Sequence, residues 1–142
     1  MDRSEALSVH MIRAQVARFW IILTSKRSES LKEFYDPQAI VFSSSATRSE
    51  VGSLTVVRRN REYISSAAEI HYALGDIDVQ AIGREVVVAS YAFSFDARNV
   101  AGPHGLKDEK ITQGRATQVF VAADDGTLRI VHEHFSIAAD SG

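Results

Sequence analysis

His132 and His134 stand two residues apart in the strand-like run Leu128–Ile137, read LRIVHEHFSI. Side chains alternate faces along a strand. The spacing therefore predicts Leu128, Ile130, His132, His134 and Ser136 on one face, and Arg129, Val131, Glu133, Phe135 and Ile137 on the other. Imidazole titrates near neutral pH, so either histidine could move a proton if Tyr63, Tyr72 or Tyr91 stood within hydrogen-bond reach. A His-x-His pair also presents two metal ligands together, with His71 as the candidate third. Two clustered ligands are not a metal signature, so no metal and no cofactor is assigned. The competing reading is that both histidines bond to ordinary polar neighbours.

Arg115 alternates with Thr117, Val119 and Val121, and a lone guanidinium on an apolar face must be paired or aimed at a cavity. Such a group suits a carboxylate or enolate oxygen, with Thr117 beside it. A structural salt bridge would place it equally well. Trp20, Phe42, Tyr63, Tyr91 and Phe93 are the expected ligand-binding aromatic wall, with Phe95 on the same strand face as Tyr91 and Phe93. An apolar enclosure with a few polar groups is the usual build of a small-molecule site, although core packing explains any single aromatic as well. Arg58, Arg59 and Arg61 are followed by Glu62 on an amphipathic helix and read as a solvated face.

The elements that must position these residues fall in two groups. Val9, Ile12, Val16, Phe19, Trp20 and Leu23 recur at helical spacing, with Ser4 as the expected N-cap and Glu5 in the first turn. A second short helix is expected from Ser28, burying Leu31, Phe34 and Tyr35 and stopped by Asp36-Pro37. A strand follows over residues 39–43, leading into Ser43-Ser44-Ser45, and a third helix over 51–64 is interrupted by Gly52. Residues 69–81, 85–95, 112–123 and 128–137 are four long strand candidates. Gly83-Arg84 and Asp124-Asp125-Gly126 are hairpin turns, and 96–110, with Gly102-Pro103-His104-Gly105, is expected to be a loop. Helices first and antiparallel strands after predict an α+β domain spanning 1–142, a curved antiparallel sheet wrapped around N-terminal helices.

Bulk properties narrow the function classes. The chain has 142 residues, 45% hydrophobic, a net charge of −2 and no cysteine. This length suffices for one substantial core, and the balanced charge gives no general attraction to nucleic acid or anionic membranes. Disulfides and thiol chemistry are excluded. The longest N-terminal apolar run, residues 19–23, is too short to span a membrane. A cytoplasmic location is expected.

The run Leu31-Lys32-Glu33-Phe34-Tyr35-Asp36-Pro37-Gln38-Ala39-Ile40-Val41-Phe42, with Gly114-Arg115-Ala116-Thr117 and Ile130-Val131-His132-Glu133-His134-Phe135-Ser136, resembles the NTF2-like superfamily (SnoaL-like, ketosteroid-isomerase-like) over residues 3–137. Ile70-His71-Tyr72 and the segment from Gly75 to Gly83 resemble most the association domain of calcium/calmodulin-dependent kinase II. The resemblance implies a cone enclosing a pocket, and a homodimer through sheet faces or edges, for which Val131, Phe135 and Ile137 would be the contact. The positions that carry chemistry in the isomerase branch fall on Phe19, Ser43 and Arg115, none of which can perform it, so that mechanism is not expected. The expected function is binding of a small organic molecule bearing a carboxylate or ketone oxygen, held by Arg115 and the histidine pair. The alternatives are a lyase or isomerase (dehydratase or cyclase type) acting on a polyketide-like or aromatic ketone, and a structural association domain.

Overall fold

The computed structural model describes residues 8–43, 50–102 and 104–137. Ser4, Glu5, Ser44, Ser45 and Pro103, which carried expectations above, lie outside them. The first described helix, α1, is Val9–Leu23, and Ser8 caps it, its Oγ accepting from the Met11 N–H at 3.2 Å. Its buried stripe is Ile12, Val16, Phe19 and Trp20, while Val9 is exposed. A 3-10 helix, Ser28–Phe34, follows and ends ahead of Pro37, as the proline requires. Strand β1, Tyr35–Phe42, then starts earlier than its composition suggests. Helix α2, Ser53–Ile64, has Gly52 at its N-cap with φ at +98°, so the glycine starts this helix rather than interrupting it.

The short strand β2, Glu50–Val51, is followed after α2 by β3 (Glu69–Leu74), β4 (Asp78–Ile82), β5 (Val86–Gly102), β6 (Gly105–Ala122) and β7 (Leu128–Ile137). The sheet order is β2-β1-β7-β6-β5-β3, and β4 pairs with the other half of β5. The sheet is mixed: β1 runs parallel to β7, and the other pairs are antiparallel.

Two strand expectations need correction. The 69–81 segment is two strands along one edge of β5, because residues 75–77 bulge between the pairs Leu74↔Phe93 and Asp78↔Ser90, while the Gly75 N–H still bonds to the Ala92 carbonyl at 2.8 Å. The 96–110 segment is not a loop. It is paired from Asp96↔Lys110 to Gly102↔Gly105, so β5 and β6 form one long hairpin. Its loop-like composition reflects exposure, since Arg98, Lys107, Asp108 and Lys110 face solvent and, among its described residues, only Ala97 and Val100 are buried.

Irregular pairing decides which residues face the helices. On β5, Val87, Ala89, Tyr91, Phe93, Phe95 and Ala97 alternate inward without interruption. On β6 the register shifts between the pairs Phe93↔Gly114 and Phe95↔Ile111, so the inner set passes from Glu109 and Ile111 to Gly114, Ala116, Gln118, Phe120 and Ala122. On β7, Phe120 pairs with Ile130 but Val119 pairs with His132, leaving Val131 as an extra residue. A bulge of this kind moves every later side chain to the opposite face. The inner set is therefore Leu128 and Ile130, then Glu133 and Phe135.

Candidate functional site

Helices α1 and α2 and the inner face of the sheet line a cavity of about 170 Å³ that is open to solvent on one side. Its apolar wall includes Trp20, Val41, Phe93, Phe95, Ile111 and Phe135. The rings of Trp20, Phe93 and Phe135 touch one another, with centroids 5.1 to 6.0 Å apart. Gly114 makes this wall possible: a Cβ there would lie 2.4 Å from Cζ of Phe93, so only glycine lets that ring rest on β6.

A chain of buried polar groups ends at the cavity. The Trp20 indole N–H donates to the Tyr91 hydroxyl at 2.8 Å, which donates to Oε1 of Gln118 at 2.8 Å. Gln118 Nε2 donates to Oε1 of Glu133 at 2.6 Å, and the Tyr35 hydroxyl donates to Oε2 of Glu133 at 2.7 Å. Indole N–H can only donate, which fixes the direction of the chain and turns the Gln118 amide nitrogen toward Glu133. Glu133 is 1% exposed and Gln118 is wholly buried. Removing a carboxylate from water costs several kcal/mol, on the order of magnitude that bonds to both oxygens must offset. Burial pushes the Tyr91 phenol well above the ordinary tyrosine value, the Trp20 hydrogen bond opposes that, and the Glu133 charge adds to it. Tyr63 is also raised, by burial first and then by the neighbouring Glu109 carboxylate.

Of the residues expected at a site, Trp20, Tyr63 and Phe93 line the cavity, and Tyr91 stands behind its wall as a link in the polar chain. The others lie outside. The bulge at Val131 turns His132 and His134 to the outer face, where both rings sit against Phe42, with centroids 6.0 and 5.7 Å away. Arg115 is exposed and Thr117 half-buried on the same outer face, paired with Ser136 and His134. The alternation of Val119 and Val121 suggested an inner face, but the inner series is the one with Gln118, whose polarity is absorbed by the buried chain. Phe135, expected outside, is a cavity residue, and Ser43 lines the cavity too.

His71 cannot complete a metal site with the pair on β7. It lies on β3, three strands away, roughly 14 Å at the usual strand spacing, and bonds to Glu69 at 3.1 Å. Among the described residues, no group of three or more His, Asp or Glu side chains could hold a metal ion. No described helix is long and apolar enough to cross a membrane.

Glu133, Gln118 and Tyr35 were missed as site residues. Straight counting from the Asp124-Asp125-Gly126 turn pairs Gln118 with His132, and only the extra residue in β7 brings Glu133 opposite it.

A family model described as a SnoaL-like domain matches residues 12–140. Comparison with curated protein sequences found no match. Among solved structures, a candidate scytalone dehydratase from Novosphingobium aromaticivorans superposes with a TM-score of 0.79 at 11% identity, covering 98% of this chain and 89% of its own. A candidate dehydratase of the NTF2-like family from Streptomyces avermitilis gives 0.75 at 16% identity, with 93% and 97% covered. A candidate calcium/calmodulin dependent protein kinase II association domain from Xanthomonas campestris gives 0.73 at 14% identity, with 91% and 86% covered. At such identities the likeness establishes the fold.

Proposed function

The chain belongs to the SnoaL-like domain family, with the NTF2-like α+β cone, and from that premise we propose that it binds a small organic molecule in the aromatic cavity beneath α1 and α2. One observation carries the reading: a ring-walled cavity has a buried carboxylate, Glu133, in its lining instead of a further apolar side chain. Buried polar chains that end at a cavity are costly to stability and are kept where they serve a site. The size suits a one-ring body, since an engineered apolar cavity of about 150 Å³ holds benzene. Arg115 lies outside, so the ligand's polar group meets Glu133, Tyr35, Ser43, Asn60, Arg59, Tyr63 or Glu109 instead.

A second reading is favoured by the carboxylate itself. Glu133 and Tyr35 share a hydrogen bond in the cavity wall, and such a pair can take a proton from carbon beside a ketone and hold the resulting charge. This is the lyase or isomerase alternative, with Glu133 in the role first sought in His132 and His134. The family resemblance also supports a homodimer, and the outer face offers a surface for it. Exposed Ile40 and Phe42 lie beside His132 and His134 there, which suits a two-fold contact with a second copy.

Native mass spectrometry of the purified protein, set against its denatured mass, tests the binding reading. A small organic adduct lost on denaturation is expected; a protein that takes up no small molecule from a broad one-ring library would overturn it. If the second reading holds, Glu133→Gln loses turnover of a ketone ligand while keeping its affinity.

A further inference from the structure

We propose that Glu109 and Ser43 form a second polar end of the cavity and select ligands that present a hydrogen-bond donor, a hydroxyl or amine carried on a one-ring body. The inference rests on the binding reading above and names the ligand chemistry for that site. Among the described residues, two cavity-lining atoms are buried and without a hydrogen-bond partner, Oε2 of Glu109 and Oγ of Ser43. An unmet buried polar atom is costly, and the other polar groups here contrast with this pair. Trp20, Tyr91, Gln118, Glu133 and Tyr35 bond in one chain, and Asn60 accepts from Ser28 and donates to the Leu23 carbonyl.

The chemistry of the pair sets the ligand class. A carboxylate oxygen only accepts, so whatever completes Glu109 must donate. Burial and a hydrogen bond to the Glu109 carboxylate keep the Tyr63 phenol neutral, and Oε2 is the Glu109 oxygen left without a partner. A ligand whose polar atom only accepts would set one lone pair against another. Ser43 can accept or donate, so it fits the oxygen of a hydroxyl whose proton goes to Glu109. Arg59 also lines the cavity and is already engaged in an interaction.

Glu109 reaches the cavity because of the long hairpin. It sits on β6 opposite the fully buried Ala97, two residues before the buried Ile111, on the stretch that sequence patterning reads as loop. Its carboxylate thus stands on a paired strand, which holds it in place better than a loop does.

Trp20 is the single tryptophan and lines the cavity, so its indole N–H signal in a two-dimensional NMR spectrum reports occupancy directly. The full-length protein would be titrated with benzyl alcohol, with benzaldehyde, which only accepts, and with toluene. Benzyl alcohol is expected to bind roughly tenfold more tightly than benzaldehyde, as a bond to a charged acceptor implies. Glu109→Leu should abolish that preference and Ser43→Ala should reduce it, each while keeping the dispersed native spectrum. Equal binding of alcohol and aldehyde in the wild type overturns donor selection and leaves the binding reading standing, as does a preference unchanged in Glu109→Leu. If no probe moves the indole signal, both fall. Should Glu109→Leu fail to fold, Ser43→Ala and Glu109→Gln carry the test, the latter expected to weaken the preference several-fold through loss of charge.

Discussion

At the scale of single residues, the polar chain from Trp20 to Glu133 joins stability to the site. Tyr91→Phe removes the acceptor of the indole N–H and the donor to Gln118 at once. Urea unfolding should show a loss of about 1–3 kcal/mol, the usual cost of stranding a buried polar group, and the Trp20 indole signal should shift. Gln118→Leu should cost at least as much, because it strands Tyr91 and Glu133 together, whereas Thr117→Ala, one residue away on the outer face, should fall within about 0.5 kcal/mol of wild type. Parity of these two losses would mean that Gln118 does not support the carboxylate. The phenols also set an alkaline limit. The folded state raises Tyr63 and Tyr91 above the ordinary value near 10, so below that pH both states hold the protons and stability does not change on their account. Above it, the unfolded phenols ionise while the folded ones stay neutral, and stability falls by up to about 1.4 kcal/mol per pH unit for the deeply buried Tyr91 and by less for Tyr63, which solvent screens. Denaturation midpoints between pH 9 and about 11.5 should fall for the wild type and fall less steeply in Tyr63→Phe, where only Tyr91 still contributes.

At the scale of elements, Phe93 on β5 and Gly114 on β6 are one construction. Gly114→Ala drives a methyl into the Phe93 ring, which is itself held by Trp20 and Phe135. The expected loss is about 1–3 kcal/mol, as for other overpacked cores, and it should largely vanish in a Phe93→Ala background; a fully additive pair would show that the two do not share the space. Elements were the most legible level of the sequence. The α1 stripe, the proline stop after the 3-10 helix, the glycine turns and the inward face of β5 follow from period, capping and turn chemistry, which act over a few residues. Faces on β6 and β7 did not follow. Tyr91 and Phe93 fall on the inner face because β5 alternates without a break from Val87 to Ala97. His132 and His134 were misplaced because one unpaired residue, Val131, shifts the count. A bulge is fixed by its partner strand and by what the sheet wraps, and neither is encoded within a window of ten residues. Arg115 failed for a related reason: Gln118 made the true inner face look polar, and its partners Tyr91 and Glu133 lie on other strands.

At the scale of the whole molecule, the curved sheet has a cavity on its inner side and, on its outer side, a surface where Ile40 and Phe42 are exposed next to the two histidines. If that face joins two copies, Phe42→Glu should convert a dimer to monomer in analytical ultracentrifugation while leaving the Trp20 indole signal unchanged. A dimer that persists in this variant would place the contact elsewhere. The extra residue in β7 also has a bearing on descent. Inserting or deleting one residue there exchanges the chemistry of two surfaces, sending an imidazole inward and a carboxylate outward, with topology untouched. A lineage could thus trade a buried carboxylate for a buried imidazole in one mutational event. Relatives with superposable backbones and identities as low as 11% are then best compared by matching which side of each strand irregularity a residue falls on, since letter-by-letter alignment sets a wall residue of one protein against a surface residue of another.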